Sequence, residues 1–102
     1  MLWIGCRHRR HASEMSLLAK SFGAALRQLR IDAGFSQDDY ALACELHRTY
    51  IGRIERGETN VGLENIARLA APLGLPASAL VRAAEEHAAR VTVGAIQMPE
   101  EP

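Results

Sequence analysis

Residues 36–57, reading SQDDYALACELHRTYIGRIERG, constrain the fold more than any other part of the chain. They hold two short amphipathic runs separated by a tight break at Cys44-Glu45-Leu46. Ser36 is a natural helix cap, and Asp39 three positions on completes an S-x-x-D box, so a helix is expected to start there. Tyr40, Ala41 and Cys44 follow at helical spacing and form its inward face. The second run begins near His47 or Arg48 and stops at Gly57, a residue suited to the positive φ that ends helices. Its inward positions are Tyr50, Ile51 and Ile54, which leaves Arg48, Thr49, Gly52, Arg53 and Arg56 to solvent.

The flanking chain supplies three more helices. From Ser16 to about Ala33, Leu18, Phe22, Leu26 and Leu29 step by three or four and make one buried stripe; Gly34 is the stop. Glu58-Thr59-Asn60-Val61-Gly62 is a polar loop rich in turn residues. A fourth helix is expected from Leu63 to about Leu73, with Leu63, Ile66, Leu69, Ala70 and Leu73 inward. Pro72 removes a backbone donor near its end and should kink or fray the last turn. Gly74-Leu75-Pro76 breaks the chain again, with Pro76 placed for the first turn of a fifth helix, about Ala77 to Arg90, built on Leu80, Val81 and Ala84. The expected organisation is a basic arm (1–15), a helical domain (16–90) and a frayed tail (91–102), in which Val91-Thr92-Val93 is a weak strand candidate. His87 reads as a surface residue of the fifth helix. Two short helices across a turn, the second with arginine and threonine outward, are the sequence form of a helix-turn-helix.

Length limits the chain of 102 residues to one modest core. Twelve basic and twelve acidic residues cancel, so overall basicity does not argue for nucleic acid. The distribution is uneven: residues 1–30 carry six basic side chains against Glu14 alone, and residues 58–102 carry three arginines against six glutamates. Two cysteines, Cys6 and Cys44, do not make a disulfide scaffold and suit a reduced, cytoplasmic setting. No apolar run reaches the roughly 18–20 residues of a membrane span, and the opening MLWIGC has its basic residues on the wrong side for a secretory signal. Cys6, His8 and His11 lack a fourth ligand at zinc-finger spacing, so no metal or other cofactor is expected. No nucleophile, base and orienting group share one helix and no phosphate-cradling glycine loop occurs, which argues against an enzyme.

Residues 22–81 resemble the phage-repressor, Cro-like (XRE) helix-turn-helix family. The resemblance rests on FGAALRQLRIDAGFSQDDYA, LHRTYIGRIERGETN and LENIARLAAPLGLPASAL, about 60 of the 102 positions. It implies an all-α, compact five-helix lambda-repressor-like DNA-binding domain, in agreement with the helix count from periodicity. It also implies roles. Gln37 resembles a glutamine that contacts the DNA backbone. Arg48, Thr49 and Arg53 match positions that reach base edges. Arg56, Thr59 and Asn60 match backbone contacts, and Arg30 with Glu55 matches a semi-buried ion pair between the first and third helices; Tyr50 itself reads as a packing residue whose hydroxyl touches a phosphate. The expected partners are double-stranded DNA and a second copy of the chain, in a transcriptional regulator acting as a homodimer on a pseudo-palindromic operator. The alternative is a protein-interaction module of the same fold, antitoxin-like or coactivator-like, with a toxin-like partner. Glu45 departs from the family, which usually carries glycine in the turn. A left-handed non-glycine residue costs about 1 kcal/mol or more, and a carboxylate there would weaken DNA binding.

Overall fold

The computed structural model describes residues 16–97, and among them it is helical with no strand. Five α-helices follow in order: α1 (Leu17–Asp32), α2 (Gln37–Cys44), α3 (Arg48–Glu55), α4 (Leu63–Ala70) and α5 (Ala77–Gln97). The side chains that start them are those the sequence singles out. Ser16 accepts a hydrogen bond from the Ala19 amide at 3.1 Å and Ser36 from the Asp39 amide at 3.0 Å, each satisfying a donor the helix leaves open. His47 caps α3 through Nδ1, which accepts from the Thr49 amide at 3.1 Å. Gly34, Gly57 and Gly74 all take positive φ just past helix ends.

α1 and α5 lie along one another as a frame; α3 packs on α1, α4 packs on α5, and α2 packs on α3 and on the turn that follows α4. Phe22 and Leu26 of α1, Tyr40, Ala41 and Cys44 of α2, Ile51 and Ile54 of α3, Ile66, Leu69 and Ala70 of α4, and Leu80 and Ala84 of α5 meet in one core. Burying a leucine or isoleucine fully is worth about 1.5–3 kcal/mol, so Ile51 and Ile54, essentially without exposure, are what fixes α3 in place. Tyr40 donates its hydroxyl to the Leu69 carbonyl, and burial pushes that hydroxyl well above its ordinary pKa. Burial likewise raises the Cys44 thiol.

Several expectations need correction. Leu18 and Leu63 are not in the core: they are 47% and 82% exposed, each in the first turn of its helix, where little chain lies opposite. Gly52 is buried rather than left to solvent, because the Arg56 guanidinium folds back to 3.1 Å from where its Cβ would stand. α4 ends at Ala70, and Ala71–Leu73 tightens into a 3₁₀ turn around Pro72, whose missing amide the shorter helix tolerates. His87 is half-buried, with Nδ1 3.1 Å from Oγ of the fully buried Ser21. α5 continues seven residues beyond Arg90 and absorbs Val91-Thr92-Val93, so the tail does not begin at 91. β-branched residues cost a helix only a few tenths of a kcal/mol each and Gly94 about 1 kcal/mol, and α5 runs through them to Gln97, two residues before Pro99. The basic arm with Cys6, His8 and His11, and the Met-Pro-Glu-Glu-Pro end, lie outside the described residues.

Candidate nucleic-acid interface

α3 presents one polar face because its apolar residues occupy the other. Ile51 and Ile54 face the core, so Arg48, Thr49 and Arg53 stand outward, with Arg56 following just past the C-terminus. The angle at which α3 emerges is fixed by the turn before it. Glu45 has φ 61° and ψ 40°, the left-handed conformation the sequence anticipates, and its amide and that of Leu46 close back onto Leu42 and Ala41 at 3.1 and 3.0 Å. The Glu45 carboxylate is exposed and lies 3.8 Å from Arg68 of α4.

A buried ionic joint fastens the far end of α3. Arg30 of α1 donates Nε to Glu55 Oε2 at 2.6 Å and Nη2 to Oε1 at 3.1 Å, while Nη1 donates to the Phe35 carbonyl at 2.8 Å. The two side chains are only 8% and 3% exposed. Gln37 is drawn into the same joint: its Nε2 donates to Glu55 Oε1 at 3.0 Å. That bond uses one of the two Nε2 protons and leaves the other free to donate. Gly23 completes the fastening. A Cβ there would overlap the Ile54 carbonyl and sit 2.8 Å from that of Glu55, so α1 rides directly on the last turn of α3.

The outward cations differ in what already holds them. Arg48 forms an ion pair with Asp38 of α2, Nε to Oδ1 at 2.5 Å. Arg56 is gripped by Glu58, donating Nε and Nη2 to the two carboxylate oxygens at 3.0 and 3.2 Å. These bonds hold the Glu58 carboxyl below the usual glutamate range and raise Arg56 in turn. Arg53 has no ion pair among the described residues, though its charge also helps to depress Glu58. Tyr50 is half-buried, its hydroxyl accepting from Asn65 Nδ2 at 3.1 Å with the proton left to donate. Thr59 and Asn60 follow in the loop after α3 and line an open hollow of about 150 Å³ together with Leu18, Phe22, Val61 and Val81. Among the described residues no group of His, Cys, Asp or Glu is arranged to hold a metal, and no helix is long and apolar enough to cross a membrane.

Sequence reasoning missed Gly23, Asp38, Glu58 and Asn65. Asp38 and Arg48 are ten positions apart on different helices, so only the turn brings them together. Gly23 carries no local signal, since glycine within a helical pattern reads as a weakness until its neighbour is seen.

Comparison with known proteins decides what this arrangement is. A helix-turn-helix family model (HTH_3) matches residues 26–80, more than half the chain. The chain belongs to the XRE-type helix-turn-helix family of transcriptional regulators. Among its relatives, the control protein C.BamHI of Bacillus amyloliquefaciens is 47% identical over 55 residues, 53% of this chain and 68% of that protein. A hypothetical transcription factor of Neisseria meningitidis is 38% identical over 78 residues, 74% of each. Among solved structures, the clp gene regulator ClgR from Corynebacterium glutamicum aligns with a TM-score of 0.75 at 28% identity, covering 81% of this chain and 88% of that one. The restriction–modification controller C.AhdI from Aeromonas hydrophila aligns with a TM-score of 0.58 at 43% identity, over 62% and 94%. In this helix-turn-helix protein α2 and α3 are therefore the motif, with α3 its second helix.

Proposed function

We propose that the chain is a sequence-specific DNA-binding transcriptional regulator that places α3 in the major groove, with Arg48, Thr49 and Arg53 at base edges. Tyr50 and Arg56 then reach the backbone, joined by Thr59 and Asn60 from the following loop. The observation that carries this reading is the outward, rigidly backed polar face of α3, with Arg53 unpaired at its centre among the described residues. An arginine there suits guanine O6 and N7, and a threonine methyl suits thymine. The relatives named as control proteins and gene regulators support it. One module of this size offers little contact area, so a homodimer spanning two half-sites roughly 34 Å apart is the natural form. Val91 and Val93, half exposed on α5, are apolar surface available to such a pairing.

A second reading, an interaction module that binds a protein partner such as a toxin, draws on one observation: Asp38, Glu45 and Glu58 put three carboxylates beside the helix-turn-helix cations. Duplex affinity measured against salt separates the two. A regulator loses affinity steeply as counterions compete, whereas an interaction module shows weak, shallow binding. Within the regulator reading, Arg53→Ala should relax preference at one base pair and cost roughly 1–3 kcal/mol, while Arg56→Ala weakens all duplexes alike and flattens the salt dependence. Identical behaviour of the two variants on selected and scrambled duplexes would refute this division of labour.

A further inference from the structure

Asp38 stands in the first turn of α2 and Arg48 is the first residue of α3, so their ion pair crosses the turn of the helix-turn-helix. The side chains are 71% and 64% exposed, and a bridge so open to water contributes little to stability. Its geometry also differs from the neighbouring Arg56–Glu58 pair. Glu58 takes hydrogen bonds from both Nε and Nη2 of its arginine and so occupies the edge a phosphate would use. Asp38 approaches Arg48 closest at Nε, as an ion pair outside hydrogen-bond alignment, and Nη1 and Nη2 of Arg48 have no partner among the described residues. A guanidinium is planar and carries its donors in a fixed fork. A carboxylate against Nε limits rotation of the plane and leaves the terminal Nη1/Nη2 edge, two parallel donors, uncommitted among the described residues. With Nε beside the carboxylate, the Nη1/Nη2 edge is the one left to serve guanine O6 and N7 together.

We propose that Asp38 is a positioning residue for base readout, a carboxylate on α2 that aims the Nη edge of Arg48 at a guanine and so sets the preference at one base pair. The inference rests on α3 reading DNA. Asp38 touches no base itself; it removes from Arg48 the rotational freedom that would let the guanidinium settle on a phosphate or another base instead.

The test begins with duplexes selected by the wild-type protein from a random-sequence library, followed by fluorescence anisotropy on the selected duplex and on a panel with each base pair changed in turn. Arg48→Ala should flatten preference at one base pair. Asp38→Asn should flatten preference at that same pair by roughly tenfold, within the range a bidentate arginine–guanine contact supplies, and leave the other pairs unchanged. In the Arg48→Ala background Asp38→Asn should alter nothing at that pair, and Asp38→Glu should restore part of the lost preference. The Tm of Asp38→Asn should match wild type, which separates the effect from a folding defect. If Asp38→Asn raises affinity for all duplexes by one common factor, Asp38 is only a repelling charge and the proposal is overturned; unchanged preference overturns it as well. Failure of the underlying reading looks different. Wild type would then select no sequence, or Arg48→Ala would keep the wild-type profile, and both proposals fall together.

Discussion

Glu58 grips Arg56 from two residues away, with both carboxylate oxygens, on the side of the molecule proposed to meet phosphate. DNA must displace that carboxylate before Arg56 can serve it. Glu58→Gln should therefore strengthen binding to selected and scrambled duplexes by the same few-fold factor and steepen the salt dependence by about one ion, read by anisotropy over a salt series. Acidity does not substitute for the mutation. Because the folded carboxyl titrates below its ordinary value of 4.5, the pairing is complete above that value and is lost only as pH falls through the lower, folded one. Mild acidification to about pH 5 leaves Arg56 occupied. Glu45 poses a different residue-scale question. Its left-handed backbone costs about 1 kcal/mol or more, and its carboxylate recovers little from an exposed contact to Arg68 at 3.8 Å. Glu45→Gly relieves the strain but loosens the unfolded chain, so a net gain of about 0.5–1 kcal/mol is expected in urea denaturation. A loss of stability would show that the Arg68 contact outweighs the backbone strain.

At the scale of elements, the helix-turn-helix was legible because its signals are local. Ser36 and Gly57 mark ends by their own side-chain chemistry, and the faces of α2 and α3 follow from spacing. What the spacing could not show depends on what lies opposite. Leu18 and Leu63 have the right period and nothing to cover them, Gly52 lies under a side chain from the next turn, and α5 runs on through β-branched residues that have weak preference either way. Gly23 belongs to this class and has the largest consequence. Its missing Cβ lets α1 sit on the Ile54 and Glu55 carbonyls, which are backbone and cannot rotate aside. Gly23→Ala improves local helix propensity by up to about 1 kcal/mol, yet it must push α1 and α3 apart, an overpacking that costs about 1–3 kcal/mol. The expected result is a lower urea midpoint together with several-fold weaker binding to the selected duplex. A variant as stable as wild type that binds as well would show that the contact has slack.

For the whole molecule, an ionic joint ties the orientation of α3 to the rest of the fold, beside the apolar seat of Ile51 and Ile54. Arg30 on α1, Glu55 at the end of α3 and Gln37 at the start of α2 share a single set of hydrogen bonds, so both helices of the motif are tied through one guanidinium to the α1–α5 frame. The resemblance supplied the pair, but not Gln37's membership in it, which holds the Gln37 side chain in place while one of its two amide protons stays free to donate. Removing Arg30 leaves the Glu55 carboxylate buried with only Gln37 as a donor, and an uncompensated buried charge costs about 3–5 kcal/mol. Against the 5–15 kcal/mol that holds a domain of this kind together, Arg30→Met should bring the protein close to unfolding, with a large fall in Tm. The double variant Arg30→Met with Glu55→Leu removes the charge as well as its partner. Apolar replacements of buried pairs are often neutral, so most of the stability should return, while affinity for the selected duplex stays low because Gln37 and α3 have lost their common anchor. Recovery of stability and affinity together would mean that apolar packing orients α3 as well as the ionic joint does. Recovery of stability alone identifies the joint as the device that aims the motif.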